Sequence, residues 1–524
     1  MASPALTKRP RPPRAAAALT TLTALAALGA FAALMVLAGC STTQPRPDAT
    51  ALAVPKAWST ATPTPSAPTP LALWWTRFND PQLASLVDQA LASGTDVQRA
   101  QAALRQANAL RDASAAALWP TLRLSASAQH STSGGDSNGT PLAVGLGAAW
   151  SPDLFGLRRS ALNASEATAL ASAATLGDVQ RALAASVAQN YITLRSAQQR
   201  LRIAEDNLAS QRETLQITQW REQAGLVTSL ESEQARGAAS QTAALLPTLQ
   251  TLVAQSQHAL AVLTGQPPAA LAATLSTPMS TALSDTLSAP QPARALLPQA
   301  ADDLVLAIPA QALRQRPDVQ AAELQVQAAW ARVDQARAAA APDLSLSGSL
   351  GLSALSLGAL TNVASVVSSL MASVAMPLFD GGAISANVRA QQAAAEQAHA
   401  AWQATVLAAL KDVEDVLAAL QGDRQRIALL TQAADAASNA ALLANQRYSS
   451  GLVDFQTVLE TQRSLLSTQS AVASARSDQS ADQVRLYVAL GGGWQADDRP
   501  NQRTAAAPAV TPSAVTPSAR AATP

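Results

Sequence analysis

The sequence predicts an α+β membrane protein in which short membrane strands run on into very long paired helices, with that plan written twice in one chain. Three observations carry the prediction. Two segments align without gaps at a fixed offset, each holds stretches of alternating apolar and polar residues, and each then changes to a seven-residue apolar period.

The doubling organises everything else. "DVQRAQAALRQANALRDASAAALWPTLRLSAS" (96–127) aligns on "DVQAAELQVQAAWARVDQARAAAAPDLSLSGS" (318–349). Asp96 matches Asp318, Pro120 matches Pro342, and Leu122 and Leu124 match Leu344 and Leu346, at an offset of 222 throughout. Farther on, Phe155 in "PDLFG" stands opposite Phe379 in "PLFDGG" and Gly225 opposite Gly451, so the offset drifts only to 226. Self-similarity of this kind marks an internal two-fold repeat. The copies span 73–266 and 310–494, with a Pro-rich segment at 267–309 between them.

Within each copy the first element type is a strand. After Pro120 the even positions Leu122, Leu124, Ala126 and Ala128 are apolar, while Thr121, Arg123, Ser125, Ser127 and Gln129 are not. A period of two predicts strands at about 121–130 and 141–151, the latter with Leu142, Val144, Leu146, Ala148 and Trp150 in phase. The second copy predicts strands at about 343–353 and 366–378, through Leu344, Leu346, Leu350 and Leu352, then Leu370, Val374, Met376 and Leu378. About ten residues is the length a tilted membrane strand needs.

The second element type is a long helix. Val187, Leu194, Leu201, Leu208 and Leu215 fall seven apart, and Val406, Leu410, Val413, Leu417 and Leu420 alternate by four and three. Such heptad seams belong to helices packed side by side. Helical hairpins are predicted at about 158–265 and 383–490, each outgoing limb reaching roughly 100 Å at 1.5 Å per residue. Glycine inside a helix costs up to about 1 kcal/mol. Gly225 and Gly451 therefore stand where each long helix turns back. "VLTGQPP" and "VALGGGW" close the copies with glycine stops.

The flanks carry no core. Lys8, Arg9, Arg11 and Arg14 precede an apolar run from Ala15 to Ala38 that ends in "LAGC" at 37–40. This is a secretory signal over 1–39, and Leu-Ala-Gly-Cys resembles the bacterial lipobox, which implies cleavage before Cys40 and lipid attachment to its thiol. A membrane-spanning helix would leave that lone cysteine unexplained. Ser41, being non-acidic, implies outer-membrane sorting in that class. Residues 40–72 read as a Pro-rich tether and 495–524 as a disordered tail.

Composition excludes other classes. Aromatics are 3% and charged residues 14%, so thick globular cores are few. The net charge of +1 leaves no footprint for nucleic acid, and one cysteine permits no disulfide within the chain. "GDSNG" (135–139) fits Gly-x-Ser-x-Gly with His130 nearby, but a nucleophile elbow needs a strand-to-helix turn, and Ser137 lies in a Gly/Ser-rich loop between strands. His258 and His399 stand singly on helices, and no His, Cys or acidic cluster has metal spacing. Asp412, Glu414 and Asp415 read as a solvated helix face. The expectation is a protein that is not an enzyme and takes no cofactor or metal.

Four membrane strands cannot close a barrel, and open edges in lipid leave backbone groups unsatisfied at several kcal/mol each. The chain must therefore oligomerise. Two protomers would give an eight-stranded barrel filled by its own side chains, three a twelve-stranded barrel with room for a passage. Small and polar residues on the non-lipid faces favour the passage.

Taken in order, "WWTRFNDPQLASLVDQAL", "WSPDLFG", "LRQRPDVQAAE", "PLFDGG" and "RYSSGLVDFQTVLETQRSL" resemble the TolC-like outer-membrane efflux channels, in their lipoprotein branch, over about residues 73–494. The resemblance implies a homotrimer: a twelve-stranded transmembrane β-barrel continuous with a long periplasmic α-helical coiled-coil barrel. It implies an exit duct serving a periplasmic adaptor (membrane fusion) protein and an inner-membrane proton-driven transporter, with protein secretion as the alternative cargo. The family's hairpin tips carry a Val-Gly-Leu motif that contacts the adaptor. Here the matching residues are Ala224-Gly225-Leu226 and Ser450-Gly451-Leu452, without the valine. Carboxylates and a tyrosine past this turn constrict the family's resting aperture. The second tip carries Tyr448, Asp454 and Glu460, of which Tyr448 and Glu460 best match those positions by spacing, and the first offers Glu231 and Glu233, the latter near the register of Glu460. A carboxylate ring would favour cations and could be held by tyrosine or Arg447, while Asp454 could equally cap the returning helix.

Overall fold

The computed structural model describes residues 71–130, 132–133, 136–137, 141–276, 297–300, 309–355, 359 and 365–494, with 55 and 57–59. The signal segment 1–39, Cys40, most of the tether, residues 277–296 and 301–308 between the copies, and the tail 495–524 lie outside the described residues.

A 3-10 turn at Trp74–Phe78 leads into α1 (Pro81–Ser93) and α2 (Thr95–Ala116). Strand β1 (Thr121–Ala128) follows, then the two-residue β2 (Thr132–Ser133) and β3 (Asp136–Ser137), then β4 (Leu142–Trp150). The long α3 (Leu157–Gln223) returns through α4 (Ser229–Ala243) and α5 (Leu245–Leu263), with α6 (Ala272–Ser276) after it. Beyond α7 (Pro309–Gln315) come α8 (Pro317–Ala338), β5 (Asp343–Ala354), β6 (Val366–Ala375), the long α9 (Ala383–Ser449) and its return α10 (Phe455–Ala489). Helix, strand, strand, long helix and return thus occur twice in the same order.

The four long strands form one antiparallel sheet in the order β1-β4-β5-β6, so the two copies meet at β4 and β5. Residues directly opposite share a face. Leu124, Leu146 and Leu350 therefore line up on one side, and Arg123, Gly147, Ser349 and Ser369 on the other. Strand β6 stops at Ala375, short of Met376 and Leu378, because Pro377 has no N–H to give the ladder.

Both long helices start on the same device. Gly156 and Gly382 take left-handed φ of 83° and 89° at the N-cap. Just before them, Asp153 accepts the Arg159 N–H at 2.7 Å, and Asp380 accepts those of Gly382 and Ile384 at 2.8 and 2.6 Å. The backbone bonds from Ile384 and Gly382 hold the Asp380 carboxyl below the usual carboxylate range. The motifs "PDLFG" and "PLFDGG" are helix starts that cap the positive end of the dipole.

The expected hairpins form, with one difference. The first return limb is interrupted at Ala244, whereas α10 is continuous over 35 residues. The cause is Pro247, which lacks an N–H and whose ring opposes the carbonyl four residues earlier, on Ala243. Along the seams, Val187, Leu194, Leu208, Val406, Val413 and Leu420 are buried. The largest core lies about midway along α3. There Trp74, Trp75 and Phe78 pack with Leu83 and Val87 of α1 against Val187, Tyr191 and Leu194, and Trp74 stacks on Tyr487 of α10 at 5.7 Å. The tether is not free throughout. Trp58 is buried among Val413, Val416, Leu420, Leu486 and Leu490, and the Ser59 N–H donates to Glu414 at 2.9 Å. A single indole supplies more apolar area than the surrounding Pro, Thr and Ala residues together suggest.

Candidate functional site

The sheet has two chemically different faces. Leu122, Leu124, Leu370 and Val374 on the apolar face are among the most exposed hydrophobics of the chain, with Leu370 at 89%. Water does not tolerate such a row, but hydrocarbon does. The opposite face is small and polar: Ser345 bonds Ser373 at 2.7 Å and Ser349 bonds Ser369 at 2.8 Å. At one end of the strands stand Trp119, Trp150, Phe155 and Phe379, all exposed, with the Trp150 indole N–H donating to the Leu118 carbonyl at 3.0 Å. Amphipathic rings clustered at a strand end mark a membrane–water boundary. Edges β1 and β6 each lack a neighbouring strand on their outer side among the described residues.

Below the sheet, α2, α3, α8 and α9 pack in that order as one layer. A cavity of about 770 Å³ is lined from all four, including Gln106 of α2 and Gln391 of α9. A space touching both end helices of a layer lies on its concave side. Its wall is mostly alanine and neutral polar residues such as Ser165, Thr168 and Gln335, with Leu110 and Leu157 as its two large apolar side chains and Arg332 as its one charge.

At mid-length the copies are joined by an ion network centred on the buried Arg316. Arg316, before α8, donates to Asp318 at 2.7 and 3.1 Å, to Asp412 of α9 at 3.3 Å and to the Ala489 carbonyl at 3.2 Å. Arg181 of α3 approaches Asp318 at 3.5 Å and donates to the Val488 carbonyl at 3.0 Å. Burial pushes the Asp318 carboxyl up, but the Arg316 bonds and charge, with Arg181, outweigh it and hold the group below its usual range. Asp412 is half-exposed, as a solvated face requires, and in addition partners the Arg316 guanidinium, because the start of α8 lies against α9 there. Asp415 does pair on the surface, with Lys411 at 2.6 Å.

The far ends of α3 and α9 are the two tips. Each closes by the same pair of bonds: Gly225 and Leu226 N–H to the Glu222 and Arg221 carbonyls, Gly451 and Leu452 N–H to those of Tyr448 and Arg447. This Schellman geometry needs a left-handed residue, and Gly225 and Gly451 supply φ of 69° and 73°. No atom lies within 4 Å of a Cβ built on either glycine, and Leu226 and Leu452 are about three-quarters exposed. Both tips therefore present bare backbone and an apolar side chain.

Asp454 is the N-cap of α10, accepting the Thr457 N–H at 2.9 Å and its hydroxyl at 2.5 Å. The Thr457 bonds hold its carboxyl below the usual range. Glu460 is exposed two turns along the same helix. Tyr448 packs on Phe455 at 5.4 Å within a cluster of Val458, Leu459 and Ala444, and its buried hydroxyl has no partner among the described residues. On the first tip, Thr228 and Glu231 form a capping box, and Glu233 pairs with Arg236.

Sequence reasoning missed Arg221, which joins the tips. Its guanidinium lies 4.8 Å from the Tyr448 ring centroid and donates to the Ser449 carbonyl at 3.0 Å. The signal was available: at the offset of 226, Arg221 is the counterpart of Arg447.

Comparison with known proteins agrees with this architecture. The model of the outer membrane efflux protein family matches residues 86–266 and again 308–492. The pyoverdine export outer membrane protein OpmQ of Pseudomonas putida is 33% identical over 474 residues, covering 88% of this chain and 96% of that protein. The solved outer-membrane channel OprN superposes with a TM-score of 0.73 at 33% identity, over 87% of this chain and 97% of that one. The MtrE outer membrane channel of Neisseria gonorrhoeae, in its open state, superposes at 0.73 with 26% identity, over 86% and 98%. The fold is that of TolC-like channels, mostly helical with a small sheet, and the family consists of outer-membrane efflux channels rather than enzymes. With both copies matched and relatives aligned over most of its length, this chain belongs to the outer membrane efflux protein family.

Proposed function

We propose that three copies close into a twelve-stranded barrel above a helical tube, forming the passive exit duct of a tripartite pump for small molecules. Two observations support this: an open-edged sheet with one exposed apolar face and one small polar face, and a helix layer whose concave wall is mostly small and neutral polar. Closure satisfies the β1 and β6 edges, which lipid would otherwise leave unpaired. The inner-membrane proton-driven transporter supplies the energy, and a periplasmic adaptor docks on the exposed backbone and leucines of Gly225-Leu226 and Gly451-Leu452. Relatives named for pyoverdine export and for solvent efflux support small-molecule cargo. Lipid on Cys40 tethers the chain to the outer membrane as an accessory to the barrel.

Tyr448, Asp454 and Glu460 form the resting aperture in this reading, and adaptor docking splays the tips. In planar bilayers the purified protein should conduct ions, and mass measurement in detergent should give a trimer. Glu460→Ala combined with Asp454→Ser, which keeps an N-cap while removing charge, should raise conductance and weaken cation selectivity. A stable monomer, or wild-type conductance and selectivity in the folded double variant, refutes the duct and the aperture respectively.

A further inference from the structure

In the duct reading Arg123, on the polar face of β1, is one cation of the passage, and a second guanidinium lines the concave wall of the helix layer. Arg332 of α8 is exposed there, donating to the Thr168 hydroxyl at 3.4 Å, and no carboxylate pairs with it among the described residues. Helical periodicity turns the neighbouring charges away. Arg105, Glu166, Asp334 and Arg389 each fall midway between two wall positions four residues apart, about 180° round the helix from the middle of that pair. Asp112 is two residues past Leu110, and Arg158 is about 100° round from Leu157 at the upper end of the wall. Asp334 is engaged with Arg337, and Asp112 with Arg111. The first copy does not repeat the charge, because at the offset of 222 Leu110 occupies the place of Arg332, and it lines the same cavity.

We infer that Arg332 makes an anion-attracting girdle in the upper duct, selecting for solutes that carry a carboxylate, sulfonate or phosphate. The inference rests on the duct reading above, in which three chains contribute three guanidiniums around one passage. A guanidinium fork matches such oxyanions in two parallel bonds. Its field reaches about 8 Å at physiological ionic strength and farther between low-dielectric walls. The girdle lies in series with the tip carboxylates, so the path is cation-favouring at its mouth and anion-favouring along its upper length.

Reversal potentials in a potassium chloride gradient test this, using Arg332→Gln, Arg332→Leu and Arg332→Lys in the wild-type and in the Asp454→Ser/Glu460→Ala backgrounds. The potassium-to-chloride permeability ratio should rise about twofold or more in the Gln and Leu variants of at least one background and stay near wild type in the Lys variant, as expected for a charge lining a pore. Citrate, as a trivalent probe, should reduce the wild-type current more than that of Arg332→Gln. Conducting trimers with unchanged ratios in both backgrounds, or equal citrate block, overturn the girdle while leaving the duct intact. A purified trimer that conducts no ions overturns the duct and the girdle together.

Discussion

The two hairpins of this chain begin alike and end differently. Their outgoing helices are both 67 residues long, start on a left-handed glycine and stop on the same glycine turn. Their return limbs diverge: α4 and α5 are split by Pro247, carry a polar capping box at the tip and leave Leu230 exposed, while α10 is unbroken and buries Phe455 beside Tyr448. The outgoing limb is fixed at both ends, by the membrane boundary and by the tip, so its length admits no variation. The return limb is fixed only at the tip, and there the copies have specialised. The second buries an aromatic at its tip and the first does not, while Arg221, at the end of the first outgoing limb, ties the two tips together.

The sharpest way to break the comparison is at mid-length. Arg316→Ala removes a buried guanidinium and strips the part-buried Asp318 of its closest partner. Because Arg181 stays 3.5 Å from Asp318 and Asp412 is half-exposed, the substitution should lower stability by about 3 kcal/mol, the low end for breaking a buried pair. In the first copy Gly94 stands in the place of Arg316, and Asp96, the counterpart of Asp318, pairs instead with Arg99 in a mostly exposed contact; Asp96→Ala should change stability by less than about 1 kcal/mol. Denaturant unfolding of the two variants reads the contrast directly. Equal effects would show that the copies are not anchored differently. Next in size is the return limb itself. Ala473, at the place Pro247 holds in the other copy, is 1% exposed, and Ala473→Pro should cost about 3 kcal/mol or more. Pro247→Ala should stabilise by under about 1 kcal/mol while mending the break, which helical hydrogen-exchange protection across Ala244 would reveal.

Smaller effects sharpen the picture at the tips. Arg221→Ala should loosen the first tip from the second by about 1 kcal/mol, the worth of a cation–π contact at a partly exposed site, seen as faster exchange at residues 222–228 with the mid-length core unchanged. Acid should act with opposite signs at two levels. The Asp454 and Glu231 carboxyls are held low by bonds from Thr457 and Thr228 respectively. Their capping is therefore present above the ordinary carboxylate range and lost as pH falls through their lower folded values. Asp423 on α9 is pushed up by burial and then by Asp482 and Asp478. Its contribution is most favourable when protonated and declines as pH rises through its raised folded value. Exchange measured from neutral pH downward, corrected for intrinsic rates, should show fraying tips below a tightening α9–α10 contact.

Periodicity made most of the fold legible. The four strands and both outgoing helices stand within a few residues of the predicted bounds, because strands with one lipid face and helices with one packed seam must repeat at two and at seven. What depends on a single residue was less visible. The break at Ala244 follows from one proline inside a strong apolar pattern, and the docking of Trp58 from one indole inside a low-complexity stretch. The pairing of Asp412 with Arg316 depends on two helices whose crossing no local pattern records. At the tips the turns were readable from glycine alone. Arg221 was not, since its partner is a ring in the other copy.

The seam between β4 and β5 carries a consequence for how the chain assembles. Strands β1 and β4 are close in sequence, as are β5 and β6, so each copy can form its own β-hairpin by closing a short loop. Joining β4 to β5 closes a loop of roughly 200 residues, for which the chain entropy penalty is larger and the search slower. At that seam Gly145 lies opposite Gly351, and a Cβ on Gly351 would fall 2.8 Å from the Gly145 Cα and 2.6 Å from the Val144 carbonyl oxygen. The late step that makes the two hairpins one sheet therefore brings backbone against backbone at this pair, between the side-chain pairs Val144–Leu352 and Leu146–Leu350. An alanine at position 351 should leave both hairpins able to form and slow the moment at which they become one sheet.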